Sequence, residues 1–217
     1  NDARYSNRIE DKDVPDYRKS NHFIYQENLM AAYITWNKRI NKWSFQAGVR
    51  AENTMAFGHQ LGNEIIKDSS FKKRYLNIFP TAYVNFNLNK ENTFGLNIGR
   101  RIQRPNYADL NPFLYFVDEY TYQAGNVYLQ PQFTNQAELS YGYKSIIRTA
   151  LAYNHTSGAI TEIIKQDAGK KIIYQTKDNV ATQTGITLST GASLRTGKLL
   201  SSNLDFVLNY AKYEGQI

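Results

Sequence analysis

The stretch WSFQAGVRAENT, residues 43 to 54, decides the fold. Side chains of an extended chain alternate between two faces. Trp43, Phe45, Ala47, Val49 and Ala51 therefore share one face, and Ser44, Gln46, Gly48, Arg50, Glu52 and Thr54 share the other. The same division returns in YLNIFPTAYVNFNL, where Leu76, Ile78, Pro80, Ala82, Val84 and Phe86 oppose Tyr75, Asn77, Phe79, Thr81, Tyr83 and Asn85. It recurs in TFGLNIG (93 to 99), TNQAELSYGYK (134 to 144), GITLSTGASL (185 to 194) and NLDFVLNY (203 to 210). Two weaker stretches, 22 to 36 and 148 to 157, bring the set to about eight strands, while helical periodicity is scarce.

The polar face narrows the class. It is built mainly of Asn, Gln, Ser, Thr and Gly rather than Lys and Glu, which suits the lining of a wet or plugged lumen, and the Leu, Ile, Phe, Ala and Tyr of the other face suit lipid. A soluble sandwich shares the alternation, so the connections must separate the two. They run short and long in turn: residues 37 to 42, 87 to 92, 144 to 149 and 195 to 201 are short, whereas 54 to 74, 104 to 133 and 158 to 181 are expected as long loops. Loops of that length at every second connection are improbable in a compact soluble domain and ordinary in an outer-membrane barrel. Trp36, Trp43, Phe86, Phe94, Tyr141 and Tyr143 lie close to the short turns, where an interfacial girdle belongs.

Composition sets outer bounds. The 217 residues are 41% hydrophobic and 21% charged, close to the soluble average. The longest apolar run, LMAAYI, is far below the roughly 18 to 20 residues of a spanning helix. Absence of Cys excludes disulfides, thiolate metal sites and a cysteine nucleophile. The excess of 26 basic over 19 acidic residues gives +7, but Lys and Arg are spread among turns rather than gathered in a stripe. The charge is thus read as solvated, and no nucleic acid is expected as a partner. The three His stand far apart, Glu10, Asp11 and Asp13 read as an acidic loop, and no nucleophile, phosphate-loop or metalloprotease motif occurs. The expectation is therefore no enzyme, no cofactor and no metal.

Residues 99 to 141, opening on GRRIQRPNYADLNPFLYFVDEYTYQAGN, resemble the barrel region of TonB-dependent receptors, and most closely the outer-membrane β-barrel family common in Bacteroidota. The likeness is carried by Arg100, Arg101, Ile102, Arg104 and Pro105, then Tyr107, Leu110, Asn111 and Pro112, then Gly125, Asn126, Leu129 and Pro131, with Glu138 and Leu139 opening the next strand. Residues 22 to 54 look like an earlier stretch of the same barrel. The resemblance implies a barrel of about 22 strands blocked by an N-terminal plug, importing a siderophore, glycan or peptide across the outer membrane. It also implies outer-membrane lipid as surroundings, the TonB complex as a partner through an N-terminal part of the receptor, and a surface lipoprotein as a further partner to consider.

The fold expected is all-β: an antiparallel, up-and-down transmembrane β-barrel segment. Residues 1 to 21 would be the end of an extracellular loop or an irregular lead-in, and 22 to 217 an internal barrel segment without plug or terminal strands. Two alternatives stand beside it. A complete eight-stranded barrel with a structural or adhesive role would need 201 to 213 to pair with 22 to 36, and a soluble β-sandwich would bind carbohydrate through exposed aromatics.

Candidate ligand-binding residues lie in the long segment: Arg101, Arg104, Tyr107, Asn111, Tyr120, Tyr122 and Asn126 offer donors and flat aromatic surfaces for an anionic chelate, a sugar or a peptide. The architectural reading of that segment ranks ahead of the binding one. Pro105, Pro112 and Pro131 stiffen it, Gly125 and Asn126 turn it, and its arginines would pair with Asp109, Asp118 or Glu119. Arg50, Glu52 and Glu138 are charges facing the lumen, directed at a plug or ligand path or paired across strands. Pro80 cannot donate to a ladder and marks a bulge or strand end.

Overall fold

The computed structural model describes residues 2–4, 6–9, 12–17, 20–118, 120–144, 146–167, 169, 172–196 and 200–215. In chain order the elements are β1 (Asp2–Ala3), β2 (Ser6–Ile9), β3 (Lys12–Pro15), β4 (Asn21–Ile40), β5 (Trp43–Gln60), β6 (Ser69–Asn87), β7 (Asn92–Gln103), α1 (Tyr107–Leu110), β8 (Leu114–Phe116), β9 (Thr121–Ala124), β10 (Gln132–Tyr143), β11 (Ile147–Asp167), β12 (Ile172–Thr196) and β13 (Leu200–Gly215). The main sheet has eleven strands in the order β1-β4-β5-β6-β7-β10-β11-β12-β9-β8, with β13 on β12, and β2 and β3 form a separate hairpin. The expectation of about eight strands therefore falls short. The long strands all arise where the alternation predicts them, and β1, β8 and β9 are short additions whose sequences are too brief to show a period.

The loops expected at 54 to 74 and 158 to 181 are mostly strand. β5 and β6 stay paired out to Gln60 opposite Ser69, and β11 and β12 out to Asp167 opposite Ile172. At about 3.3 Å per residue, the 21 and 25 residues of β11 and β12 reach roughly 70 to 80 Å, although about 10 tilted residues cross a bilayer. Beyond the apolar band both faces of the ribbon meet water, so the pattern fades while the backbone ladder persists.

Register places the outward side chains in rows. Leu208, Leu188, Leu151, Leu139, Leu96, Val84 and Phe45 face one another in succession from β13 to β5. The rung toward the short turns carries Phe206, Thr190, Thr149, Tyr141, Phe94, Phe86 and Trp43. In it, Trp43 and Phe86 stack at 4.3 Å and Phe94 meets Tyr141 at 5.0 Å. Leu139 is 55% and Leu151 48% exposed, whereas the buried apolar residues Phe23, Ala56, Phe79, Leu110, Phe113, Leu129 and Ala159 lie on the inner face or in the long segment. The molecule is inverted relative to a soluble domain, as a lipid-facing wall must be. No helix among the described residues is long and apolar enough to cross a membrane.

The short turns follow local chemistry. Asn41 takes φ 49°, a left-handed conformation that Asn tolerates, and closes the two-residue turn between β4 and β5. Lys144 takes φ 50° at greater cost and is tied to Glu91 twice, through its N–H at 2.7 Å and its ammonium at 3.1 Å. Pro80 lies within β6, not at its end, yet it does end a ladder. Pairing of β6 with β7 stops at Thr81 opposite Gly99, one rung before the missing donor, and β7 continues to Gln103 on β10 alone. The sheet is open between β4 and β13: β4 pairs β5 and β1, and β13 pairs β12. The pairing required by a closed eight-stranded barrel is not made.

Candidate functional site

Residues 104 to 131 leave β7 at the long-strand end, cross the inner face and return to β10, touching both β4–β5 and β11–β12 on the way. The crossing starts at Arg104. Its guanidinium donates to Glu52 Oε2 at 2.6 Å and Thr54 Oγ1 at 3.0 Å, and lies 3.5 Å from Glu27. Arg50 Nε meets the other oxygen of Glu52 at 2.8 Å and stacks over Phe79 at 5.2 Å. Glu52 is 5% exposed and Thr54 fully buried, so this carboxylate is held between two arginines away from water. Burial pushes the Tyr25 phenol above its ordinary range, and the Glu27 carboxylate 3.3 Å away pushes it further.

The middle of the crossing rests on aromatic side chains. Asn106 caps α1 by accepting from the Asp109 N–H at 2.9 Å. Tyr107 packs on Phe23 at 5.5 Å between centroids, and its hydroxyl donates to the Phe23 carbonyl at 3.1 Å. Phe23 in turn contacts Phe71. Asn111 is fully buried and joins three segments: its Oδ1 accepts from Asn21 Nδ2 and the Phe113 N–H, its Nδ2 donates to the Tyr115 hydroxyl, and its carbonyl accepts from the Gly125 N–H. A Cβ at Gly125 would collide with the Asn111 backbone, its nitrogen lying 2.7 Å away, and with the Ala108 oxygen at 2.8 Å. Gly125→Ala is therefore expected to detach the segment, seen as new protease cleavage within 104 to 131 while the long ladders keep their hydrogen-exchange protection.

The far side docks on β12. Asn126 Nδ2 donates to the Lys177 carbonyl at 3.0 Å, Lys177 pairs with Asp109 at 2.8 Å, and Asn179 both accepts from and donates to the backbone of Gln130. Lys73 of β6 donates to the Leu129 carbonyl at 2.6 Å. β9 extends β12 in parallel, with Tyr122 opposite Tyr174 and their rings 6.0 Å apart. The backbone N–H groups of Tyr120 and Thr121 hold the Asp118 carboxyl below the usual carboxylate range and close the turn before β9.

The seven residues singled out in this segment thus divide. Arg104, Tyr107, Asn111 and Asn126 hold the segment, Tyr122 packs on Tyr174, and Arg101 and Tyr120 remain exposed. The arginine pairing differs from expectation, because Glu52 and Glu27 take Arg104 while Asp109 takes Lys177. Glu119 lies outside the described residues, as do Glu10 and Asp11. Of the lumen charges, Arg50 and Glu52 pair with each other, and Glu138 stands opposite Asn97 and Ala152 with no ion-pair partner among the described residues. Phe23, Phe71, Lys73 and Asn179 escaped the sequence reading, which placed Thr54 on the polar face without a role. A signal existed for Phe71, which shares the parity of Phe79 on an otherwise polar face and so marks a covered patch. His59 pairs with Asp68 and His155 with Thr184, and no group of three potential metal ligands occurs among the described residues.

An antiparallel wall, apolar outside and polar within, with its loops gathered at one end, defines an outer-membrane β-barrel protein. The model of the outer membrane protein beta-barrel family matches residues 1–217, and the chain belongs to that family. Its location is the outer membrane. Among solved structures it is similar to the copper transporter OprC, with a TM-score of 0.66 and 11% identity over 96% of this chain and 33% of that one. It is also similar to the ferric yersiniabactin uptake receptor FyuA from Yersinia pestis, with a TM-score of 0.58 and 15% identity over 90% of this chain and 28% of that one. The siderophore receptor PirA from Pseudomonas aeruginosa gives a TM-score of 0.56 and 14% identity over 90% and 46%. The chain spans less than half the length of each. No curated protein matches it by sequence.

Proposed function

We propose that this chain is part of the barrel wall of a TonB-dependent receptor that imports a nutrient into the periplasm. The observation that carries the reading is the locked crossing of residues 104 to 131. A barrel with a merely structural role has no need to fold a segment across its inner face at the outer end and fasten it by Arg104 to a buried Glu52 that Arg50 also meets. An importer does need a narrowed and shaped mouth over a polar path, and the Asn, Gln, Ser, Thr and Gly lining supplies that path. The fold likeness to OprC, FyuA and PirA supports the same reading. Energy would come from the TonB complex through an N-terminal part of the receptor, with a plug in the lumen. The side chains of Arg101 and Tyr120 are exposed and do not hold the segment, which Tyr120 supports through its backbone alone, and they are open to a siderophore, glycan or peptide.

The test compares solutes removed from defined medium by cells with and without the intact gene, each with and without TonB. The account expects at least one solute to remain in the medium when either is missing. Identical depletion by all four strains would contradict it.

A further inference from the structure

We infer that the long segment and the β11–β12 ribbon together form a binding site for one ring of a neutral sugar, at the outer end of the wall. The backbone register builds it. Tyr115 of β8 stands directly opposite Gln123 of β9, and Gln123 opposite Gln175 of β12, so the three side chains share one face of the added sheet. Lys177 lies two residues beyond Gln175 on that face, with Glu162 of β11 opposite it. Asp109 reaches the same face from α1 by pairing with Lys177 at 2.8 Å. These six side chains come from five elements and, together with Thr176 and the apolar Ala108, Ala124 and Gly125, line a hollow of about 240 Å³ whose wall is in good part apolar.

The chemistry of that lining selects the ligand. Each glutamine offers an acceptor oxygen and two donor hydrogens, each carboxylate offers acceptors, and Lys177 offers donors. Adjacent hydroxyls on a sugar ring act as both donor and acceptor, and this mixture answers them. The Tyr115 ring adds a flat apolar surface for the C–H face of the ring. Its hydroxyl is already occupied by Asn111 at 3.2 Å, which fixes its position. Two carboxylates against one ammonium leave one net negative charge, so a phosphate, a sugar acid or an anionic chelate is repelled. The hollow is smaller than the roughly 300 Å³ at which drug-sized pockets begin, and suits a single ring. Among the described residues, the side chains of Gln123, Gln175 and Glu162 have no hydrogen-bond partner and are left for a ligand.

The site rests on the import reading only for its use, since binding needs no energised membrane. The experiment is saturation-transfer NMR on the intact protein in detergent, with glucose, galactose, mannose, xylose and N-acetylglucosamine each at millimolar concentration and glucuronate as the anionic comparison. At least one neutral sugar is expected to receive saturation and glucuronate none. Gln123→Ala with Gln175→Ala is expected to weaken binding on the order of 10-fold, since two hydrogen bonds are lost. No transfer to any neutral sugar, equal transfer to glucuronate, or unchanged binding by the double variant overturns the site. None of these outcomes touches the depletion test of import, and a failed depletion test leaves this one standing.

Discussion

Arg104→Ala is expected to release residues 104 to 131 from the wall and to destabilise the protein by about 3 kcal/mol. Breaking one partner of a buried ion pair typically costs about 3 to 5 kcal/mol, because the remaining charge stays buried without its partner. Glu52 is 5% exposed and would keep only Arg50, whose side chain is half exposed, while Thr54 would lose its donor. The lower end of the range applies because the Arg104 side chain is itself 21% exposed. The readout is denaturant unfolding in lipid vesicles, with hydrogen exchange to locate the change. Exchange should rise in α1, β8 and β9 and stay low in the β5–β6 and β10–β11 ladders. Glu52→Gln added to Arg104→Ala should recover part of the loss, because the uncompensated carboxylate is gone. Loss of protection spread evenly over the long strands would show that Arg104 supports the whole wall and not the crossing.

Leu139→Arg is expected to cost about 2 to 4 kcal/mol of folding free energy in a bilayer, the range for a cation on the lipid face of a barrel near the midplane. Leu139 sits between Leu151 and Leu96 in the outward row. Its neighbour along the chain, Ser140, points inward, where its hydroxyl approaches the Gly95 carbonyl at 3.5 Å. Ser140→Arg should therefore cost well under half as much, since its guanidinium can reach a wet inner face. Urea titration in vesicles separates the two. Equal costs would mean that the parity assigned to β10 is wrong.

The sequence displayed the lipid-crossing part of the wall because only there do the two faces meet different media. β5 is legible from Trp43 to Thr54, since one face sees lipid and the other water. It then continues unannounced through Met55, Phe57 and His59 to Gln60, where the outer face leaves lipid while Thr54, Ala56, Gly58 and Gln60 of the inner face are buried. β11 and β12 lose their pattern past Ser157 for the same reason, and the bulges near Gly158, which has φ 61°, shift the parity there. Of the crossing, Arg104, Asn111 and Asn126 stood out as donors, but their partners are far along the chain. Glu52 is 52 residues from Arg104 and Asn21 is 90 from Asn111, and no local periodicity encodes such pairings. The apolar residues Phe71 and Phe79 on the polar face were the available hint that something covers them.

The most direct test of the account is a scan of single spin labels along β11, residues 147 to 155, in lipid bilayers. The chain has no native cysteine, so each introduced cysteine is labelled alone. Accessibility to oxygen, which concentrates in lipid, is predicted to peak at Ile147, Thr149, Leu151 and Tyr153. Accessibility to a water-soluble nickel reagent is predicted to peak at Arg148, Ala150, Ala152 and Asn154, giving opposite phases of a two-residue period. The same nickel accessibility at every position, with no oxygen alternation, would contradict a wall that faces lipid on one side and a polar lumen on the other.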